Sequence, residues 1–278
     1  MKSYALGLVI KLEHGVESSL RKVRDLGLPT CQLSTYDPGF FTDSHAAEIR
    51  TLSHTYGLTI TSVWAGWPGR VVWDFVDGPA TIGLVPPATR NERCDIVKRA
   101  SDFAAQLEVD CLVTHAGFVP ESPSDPLYPG LVEDLRAVAA YCGSQGQSFC
   151  FETGQETPTT LLRLIEDIGL DSIGVNFDPA NLILYGKANP VDALGILGRF
   201  VKGVHLKDGR YPTNGRDLGM ETLLGEGQVN VPLFLSSLVA LGYKGAFTIE
   251  NETTGSRQVE EIRKAIPYLA KILDSLTG

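Results

Sequence analysis

The sequence has no apolar stretch long enough to cross a membrane and no surplus of basic residues. Its 24 Lys and Arg against 33 Asp and Glu leave a formal net charge of −9. A nucleic-acid binder needs a basic surface to displace phosphate counterions, so neither nucleic acid nor a membrane is an expected partner. Cysteine is sparse and unpatterned: Cys31, Cys94, Cys111, Cys142 and Cys150 form no C-x-x-C pair. Cys111 and Cys150 sit in apolar runs and read as buried thiols of a reducing, cytoplasmic compartment. The opening MKSYALGLVIKLEHG soon meets Lys11, Glu13 and His14 and has no small-residue cleavage site, so it reads as a first strand and not a signal peptide. No low-complexity run or interdomain linker divides the chain, and residues 1–278 are read as one domain.

What is present is alternation. Eight short apolar or β-branched runs recur: YALGLVI, TCQLSTY, LTITSVWAGW, DCLVTHAG, SFCFETG, SIGVNFDP, VKGVHLKD and GAFTIENE. Between them lie helical spacings, such as Leu20, Val23 and Leu26, or Ile96, Val97, Ala100, Phe103 and Ala104. Several helical segments close on glycine (Gly57, Gly169, Gly242), and Thr157–Pro158 marks a helix start. Ser256 precedes the last helical segment, which Pro267 is expected to kink or break. Strands alternating with helices imply parallel strands covered on both faces. Eight such units fit a single (β/α)8 TIM barrel of ~250 residues, with a doubly wound open sheet as the alternative. The long Gly- and Pro-rich loop at residues 68–90 follows the third strand. A loop of that length covers a site, swaps as a lid or makes an oligomer contact.

In a barrel, chemistry sits where strands end. FCFETG carries Glu152, GVNFDP Asp178, GVHLKD His205 and FTIENE Glu250, each after an apolar run. The separations are 26, 27 and 45 residues: two βα units, then one unit lengthened by an inserted loop. One acid at a strand end is ordinary as a helix cap, and a lone histidine is usually structural. Four at the ends of the fifth to eighth strands point to one site. Three converging carboxylates repel and lose solvation, so their ionised forms need a cation. A divalent ion held by three oxygens and one nitrogen suits Mn2+ first, with Mg2+, Co2+ or Zn2+ as alternatives; without thiolates it is not a structural zinc. Trp64 and Trp67, at the end of the third strand, read either as core or as a stacking wall for a sugar. No P-loop-like turn or arginine cluster is present, so an unphosphorylated substrate is expected.

In this order FETGQ, VNFDPAN, GVHLKD, LGEGQV and FTIENE resemble the xylose isomerase-like superfamily of sugar isomerases, epimerases and AP endonucleases, most specifically over residues 148–252. The resemblance implies a TIM barrel with Glu152, Asp178, His205 and Glu250 as metal ligands. It also implies a place for His115 near substrate and for Glu226 and its neighbours at the border of the site. The chain departs from the ketohexose epimerases of that superfamily at three positions. Asn181 stands where a substrate-touching histidine is usual, Pro158 where a glutamate is (with Glu156 displaced), and Tyr211 where an arginine is, beside Arg210. A trinuclear nuclease site needs more imidazoles than His14, His45, His54, His115 and His205 supply.

The expected activity is carbohydrate chemistry: isomerisation or epimerisation of a sugar or polyol-derived ketone through a metal-stabilised enediolate. Glu152 and Glu250 would move the proton on opposite faces, and Asp178 and His205 would act as ligands only. His115, Asn181, Lys207, Arg210 and Glu226 are candidate substrate-binding groups, although Lys207 equally suits a solvated strand end. A dehydratase or lyase would use the same ligands, and a non-catalytic sugar-binding subunit would have been free to lose one. A homo-oligomer is compatible with all of these.

Overall fold

The computed structural model of the chain describes residues 4–276. Among them, eight parallel strands close into a barrel: β1 (Leu6–Lys11), β2 (Thr30–Thr35), β3 (Thr59–Ala65), β4 (Cys111–Thr114), β5 (Ser148–Glu152), β6 (Ile173–Phe177), β7 (Val201–Leu206) and, after a hairpin, β10 (Phe247–Ile249). Closure is made by β10, which pairs β7 on one side (Thr248 beside His205) and β1 on the other (Thr248 beside Gly7). Each of the eight apolar runs supplies one barrel strand, and the open-sheet alternative falls with the closure.

The connecting helices form where the sequence marks them. Helix α1 spans Val16–Asp25, and α2 (Asp43–Tyr56) is capped by Thr42, whose hydroxyl accepts from the His45 N–H, and ends on Gly57 with φ +67°. Two helices follow β3: α3 (Gly78–Thr81) and α4 (Pro87–Gln106); then α5 (Tyr128–Ser144) follows β4. Helix α6 (Pro158–Ile168) begins under the Thr157 cap and ends on Gly169, again left-handed. Two helices, α7 (Pro179–Leu184) and α8 (Pro190–Leu197), follow β6. Helix α9 (Val231–Ala240) precedes β10, and α10 (Gly255–Ser275) closes the chain.

Pro267 does not break α10, contrary to expectation, and the helix starts one residue before Ser256. Its ring lies on the exposed face, while Ile262, Ala265, Leu269 and Leu273 bury the opposite stripe on the barrel. Burying Ile262, Leu269 and Leu273 at about 1.5–3 kcal/mol each outweighs one proline at about 3 kcal/mol.

The main apolar core lies between strands and helices. A small cluster of Trp64, Cys111, Val113 and Cys150 is separate from it, and the five cysteines are free and buried. The insertion between β7 and β10 is partly ordered: β8 (Asp208–Arg210) and β9 (Met220–Thr222) pair as an antiparallel hairpin. No helix of the described residues is long and apolar enough to cross a membrane.

Candidate active site

Each of the four acid and imidazole side chains stands at or just past the end of its strand. Glu152 ends β5, Asp178 follows β6, His205 is the fifth residue of β7, and Glu250 follows β10. One ligand atom from each lies within 4.8 Å of all the others. His205 is the hub: its Nδ1 is 3.1 Å from Glu152 Oε1, 3.4 Å from Glu250 Oε2 and 3.9 Å from Asp178 Oδ2. Asp178 divides its labour. As the cap of α7 its Oδ1 accepts from the N–H groups of Ala180 and Asn181 at 2.8 and 3.0 Å. Its Oδ2, buried, faces His205 and the Lys207 ammonium in the cluster. Asp178 therefore caps α7 with one oxygen and turns the other toward the cluster.

Lys207 occupies the place of an internal counter-charge. It is 2% exposed, and its Nζ lies 2.8 Å from Glu250 Oε2, 3.0 Å from Asp178 Oδ2 and 3.1 Å from Glu252 Oε1. Those carboxylates occupy its ammonium, so it does not sit at a solvated strand end. Burial opposes every charge here, and the partners decide the outcome. For Glu152, His115 and His205 overcome burial and hold the carboxyl below its ordinary range. For Glu250, Lys207 and His205 do the same more strongly. For Asp178 burial wins over Lys207, and its pKa rises to about 7. Glu221, bonded through its carboxylate to the Glu252 N–H at 3.2 Å, is likewise pushed by burial to about 7.

The cluster opens into a cavity of about 90 Å³. Glu152, Glu250, His115 and Asn181 line it, with Trp64, Tyr36, Trp73 and Tyr185 as aromatic walls. Trp64 Nε1 donates to Glu152 Oε2, Asn181 Nδ2 donates to Glu152 Oε1 at 3.3 Å, and His115 Nε2 lies 3.7 Å from Glu152 Oε2. A groove of about 290 Å³ beside it shares Val9, Lys11, Glu250 and Glu252.

The long loop after β3 roofs its own barrel. Trp73 stands over His115 with ring centroids 5.4 Å apart, and Phe75 N–H donates to Arg216 O at 2.9 Å. Asp74 pairs with Asp217 in an isolated bridge, joining the loop to the insertion after β8. Of the three readings of this loop, covering the site is the one made within the chain.

Three of the residues singled out in sequence lie away from the cavity. Trp67 is buried with Ile82 and Ile96, donates to Thr81 O at 3.3 Å and carries the Arg93 guanidinium over its ring at 4.6 Å. Arg210 is exposed and bonds the Glu226 carbonyl at 3.0 Å, and the Glu226 side chain is exposed too. The LGEGQV loop is organised from inside by Asp208, whose carboxylate accepts from the N–H groups of Gly209, Gly225, Gly227 and Val229 at 2.8–3.0 Å. A β-carbon at Gly227 would overlap that carboxylate. Sequence reasoning missed Asp208, Tyr36, Trp73 and Gln32. Only Gln32 carried a signal, a lone amide in the apolar run TCQLST.

Residues 20–272 match the family described as xylose isomerase-like TIM barrel. A xylose isomerase domain protein from Planctomyces limnophilus is 34% identical, with a TM-score of 0.94 over 99% of each chain. A xylose isomerase-like TIM barrel protein from Mycobacterium smegmatis, crystallised in complex with magnesium, shares the fold at 19% identity, with a TM-score of 0.72 over 100% of this chain and 98% of that one. D-psicose 3-epimerase from Clostridium cellulolyticum H10, solved with D-tagatose, does so at 16% identity, with a TM-score of 0.71 over 97% and 99%. The uncharacterized protein MJ1311 of Methanocaldococcus jannaschii is 27% identical over 183 residues, and the match spans 60% of this chain and 60% of that protein's length.

Proposed function

Because the chain belongs to the xylose isomerase-like TIM barrel family, we propose that it is a divalent-metal-dependent isomerase or epimerase of an unphosphorylated sugar or polyol-derived ketone. The observation that carries this reading is the convergence of Glu152, Asp178, His205 and Glu250 at the mouth of a cavity. The donor set fits a divalent ion. Asp178 Oδ2 is buried and meets the Lys207 ammonium, which it shares with Glu250 and Glu252, so one ammonium faces more carboxylates than it can neutralise. Glu152, Asp178, Glu250 and His205 would hold the ion, which supplies Lewis-acid polarisation of the substrate carbonyl.

The chain's own residues then account for the proton movements. Glu152 and Glu250 belong to non-adjacent strands and both border the cavity, so the planar enediolate of a keto-sugar between them would have a carboxylate on each face. Both carboxyls sit below their ordinary range, Glu152 beside His115 and His205 and Glu250 beside Lys207 and His205, so both are ionised at neutral pH, which is the state a general base requires. One removes the proton from the carbon next to the carbonyl. The other, after taking a proton from solvent, returns it to the opposite face for epimerisation or to the neighbouring carbon for isomerisation. Trp64 and Asn181 fix the Glu152 carboxylate by hydrogen bonds, and Lys207 fixes that of Glu250. Trp73 and Tyr36 are the aromatic surfaces for the C–H face of the sugar, and the Trp73 loop excludes water from the acidified carbon.

The test is metal content together with solvent-deuterium exchange. Protein purified without chelator should hold about one divalent ion per chain, and a panel of free ketoses and inososes in D2O should yield one that gains deuterium at the carbon next to its carbonyl. Glu152→Gln and Glu250→Gln should each slow exchange by about 10²–10⁴-fold. Absence of ion binding even with added Mn2+ or Co2+ overturns the reading, and net loss of water from an inosose would make the protein a lyase instead.

A further inference from the structure

Below the acid cluster, inside the barrel, the structure builds a polar layer that the proton chemistry does not use. Gln32 on β2, Ser62 on β3, Asn176 on β6 and Thr248 on β10 are each at most 2% exposed. Ser62 Oγ and both amide atoms of Asn176 have no protein partner, whereas Gln32 is committed at both ends. Its Oε1 lies 2.7 Å from His205 Nε2, and its Nε2 donates to Thr248 Oγ1 at 3.3 Å. The layer has room because residue 203 is glycine: a β-carbon there would overlap Asn176 Oδ1 and come within 3.7 Å of Gln32 Nε2.

We propose that Gln32 is the positioning residue of the metal centre, holding His205 in the Nε2–H tautomer so that Nδ1 faces the ion. This rests on the reading that the acid cluster holds a divalent ion. The argument is one of donors and acceptors. Nδ1 faces Glu152, Asp178 and Glu250, so it is the nitrogen that must be bare to bind an ion there. Nε2 then carries the proton and, buried, needs an acceptor, which Gln32 Oε1 supplies. With the amide turned round, its NH2 would face Nε2, force the ring proton onto Nδ1 and block ligation. Thr248, beside His205 in the β10–β7 register, accepts from the far end of the amide. A neutral amide does this without adding a further negative charge to the cluster.

The experiment compares wild type, Gln32→Leu and Gln32→Glu by calorimetric titration with Mn2+ and Co2+, with long-range ¹H–¹⁵N spectra of the histidine rings in Zn2+-loaded wild type. Gln32→Leu should weaken ion binding by about 10–100-fold, while Gln32→Glu, which keeps an acceptor, should restore most of it. The spectra should show His205 protonated at Nε2. Wild-type binding retained in Gln32→Leu overturns the proposal. So does a His205 proton on Nδ1 in the loaded wild type, a result that needs no variant to fold. A wild type that binds no ion refutes instead the metal reading on which this rests.

Discussion

The two halves of the barrel mouth are built from different chemistry. From β5, β6, β7 and β10 come the ionisable groups: Glu152, Asp178, His205, Lys207 and Glu250. From β1 to β4 and the loops after them come, apart from Lys11 at the end of β1, neutral and aromatic groups: Gln32, Ser34, Tyr36, Trp64 and Trp73, with His115 at the boundary. The contrast shows a separation of tasks. The charged half gathers three carboxylates, and it tolerates their burial through the neighbours they share, His205 and Lys207. The neutral half contributes single hydrogen bonds that aim those groups, Trp64 donating to Glu152 and Gln32 Oε1 accepting from His205, and an aromatic wall over them.

The largest expected effect comes from breaking the charged half. Lys207→Met leaves Asp178, Glu250 and Glu252 without their shared ammonium. Removing one partner from a buried ion cluster destabilises by about 3–5 kcal/mol. Urea titration of the metal-free protein at neutral pH should show that loss. It should shrink on acidification, because carboxylates that lose their cation bind protons more readily than before and neutralise in the folded state. Added divalent ion should also recover part of it. Unchanged stability would mean that Lys207 is not the counter-charge the geometry makes it.

A middle-sized effect separates the two tryptophans of SVWAGW. Trp64→Phe keeps the aromatic wall and deletes the donor to Glu152. A hydrogen bond to a charged group is worth about 1.5–3 kcal/mol, so deuterium exchange should slow by about 10-fold or more. Trp67→Phe should leave exchange unchanged and lower the melting temperature through its lost contacts with Thr81 and Arg93. Equal slowing by both would erase the distinction between wall and core. Sequence alone left these residues alike, because an indole suits a core and a sugar surface equally well. What separates them is position: Trp64 lies within β3 and reaches Glu152 across the barrel, while Trp67 lies beyond the strand end among Ile82 and Ile96.

The same physics explains what else was legible. Glu152, Asp178, His205 and Glu250 stood out because ionisable groups at the ends of apolar runs are expensive unless each meets an opposite charge. The barrel was legible because its strands are continuous apolar runs and its helices carry their caps. Lys207 was ambiguous because its three carboxylate partners come from two other strands, β6 and β10. Arg210 and Glu226 were drawn toward the site by the motif around them, but Asp208 takes the backbone N–H groups of that loop, and both side chains are left exposed. The proline in α10 failed as a breaker because helix packing outweighed a local rule.

The smallest effect tests where the charged half ends. Glu156, four residues after Glu152, is buried with neither carboxylate oxygen hydrogen-bonded, and it does not line the cavity. Burial pushes its pKa from 4.5 to about 8, against a weaker pull from Lys187. The folded chain therefore keeps a proton between those two values that the unfolded chain releases. An unfolded state that binds fewer protons makes stability fall as pH rises, here from about 4.5 to about 8, and level off above. Glu156→Gln removes the ionisation. Its melting temperature should match wild type near pH 4, exceed it by an increment that grows up to about pH 8, and hold that increment beyond; each kcal/mol is worth roughly 2–4 °C in a chain of this size. Exchange activity should stay within about twofold, since a shift under 1 kcal/mol is what a residue outside the cavity commands. If the variant instead gains no stability and loses substrate affinity, Glu156 is ionised toward substrate, and the charged half of the mouth extends past β5 into the loop that follows it.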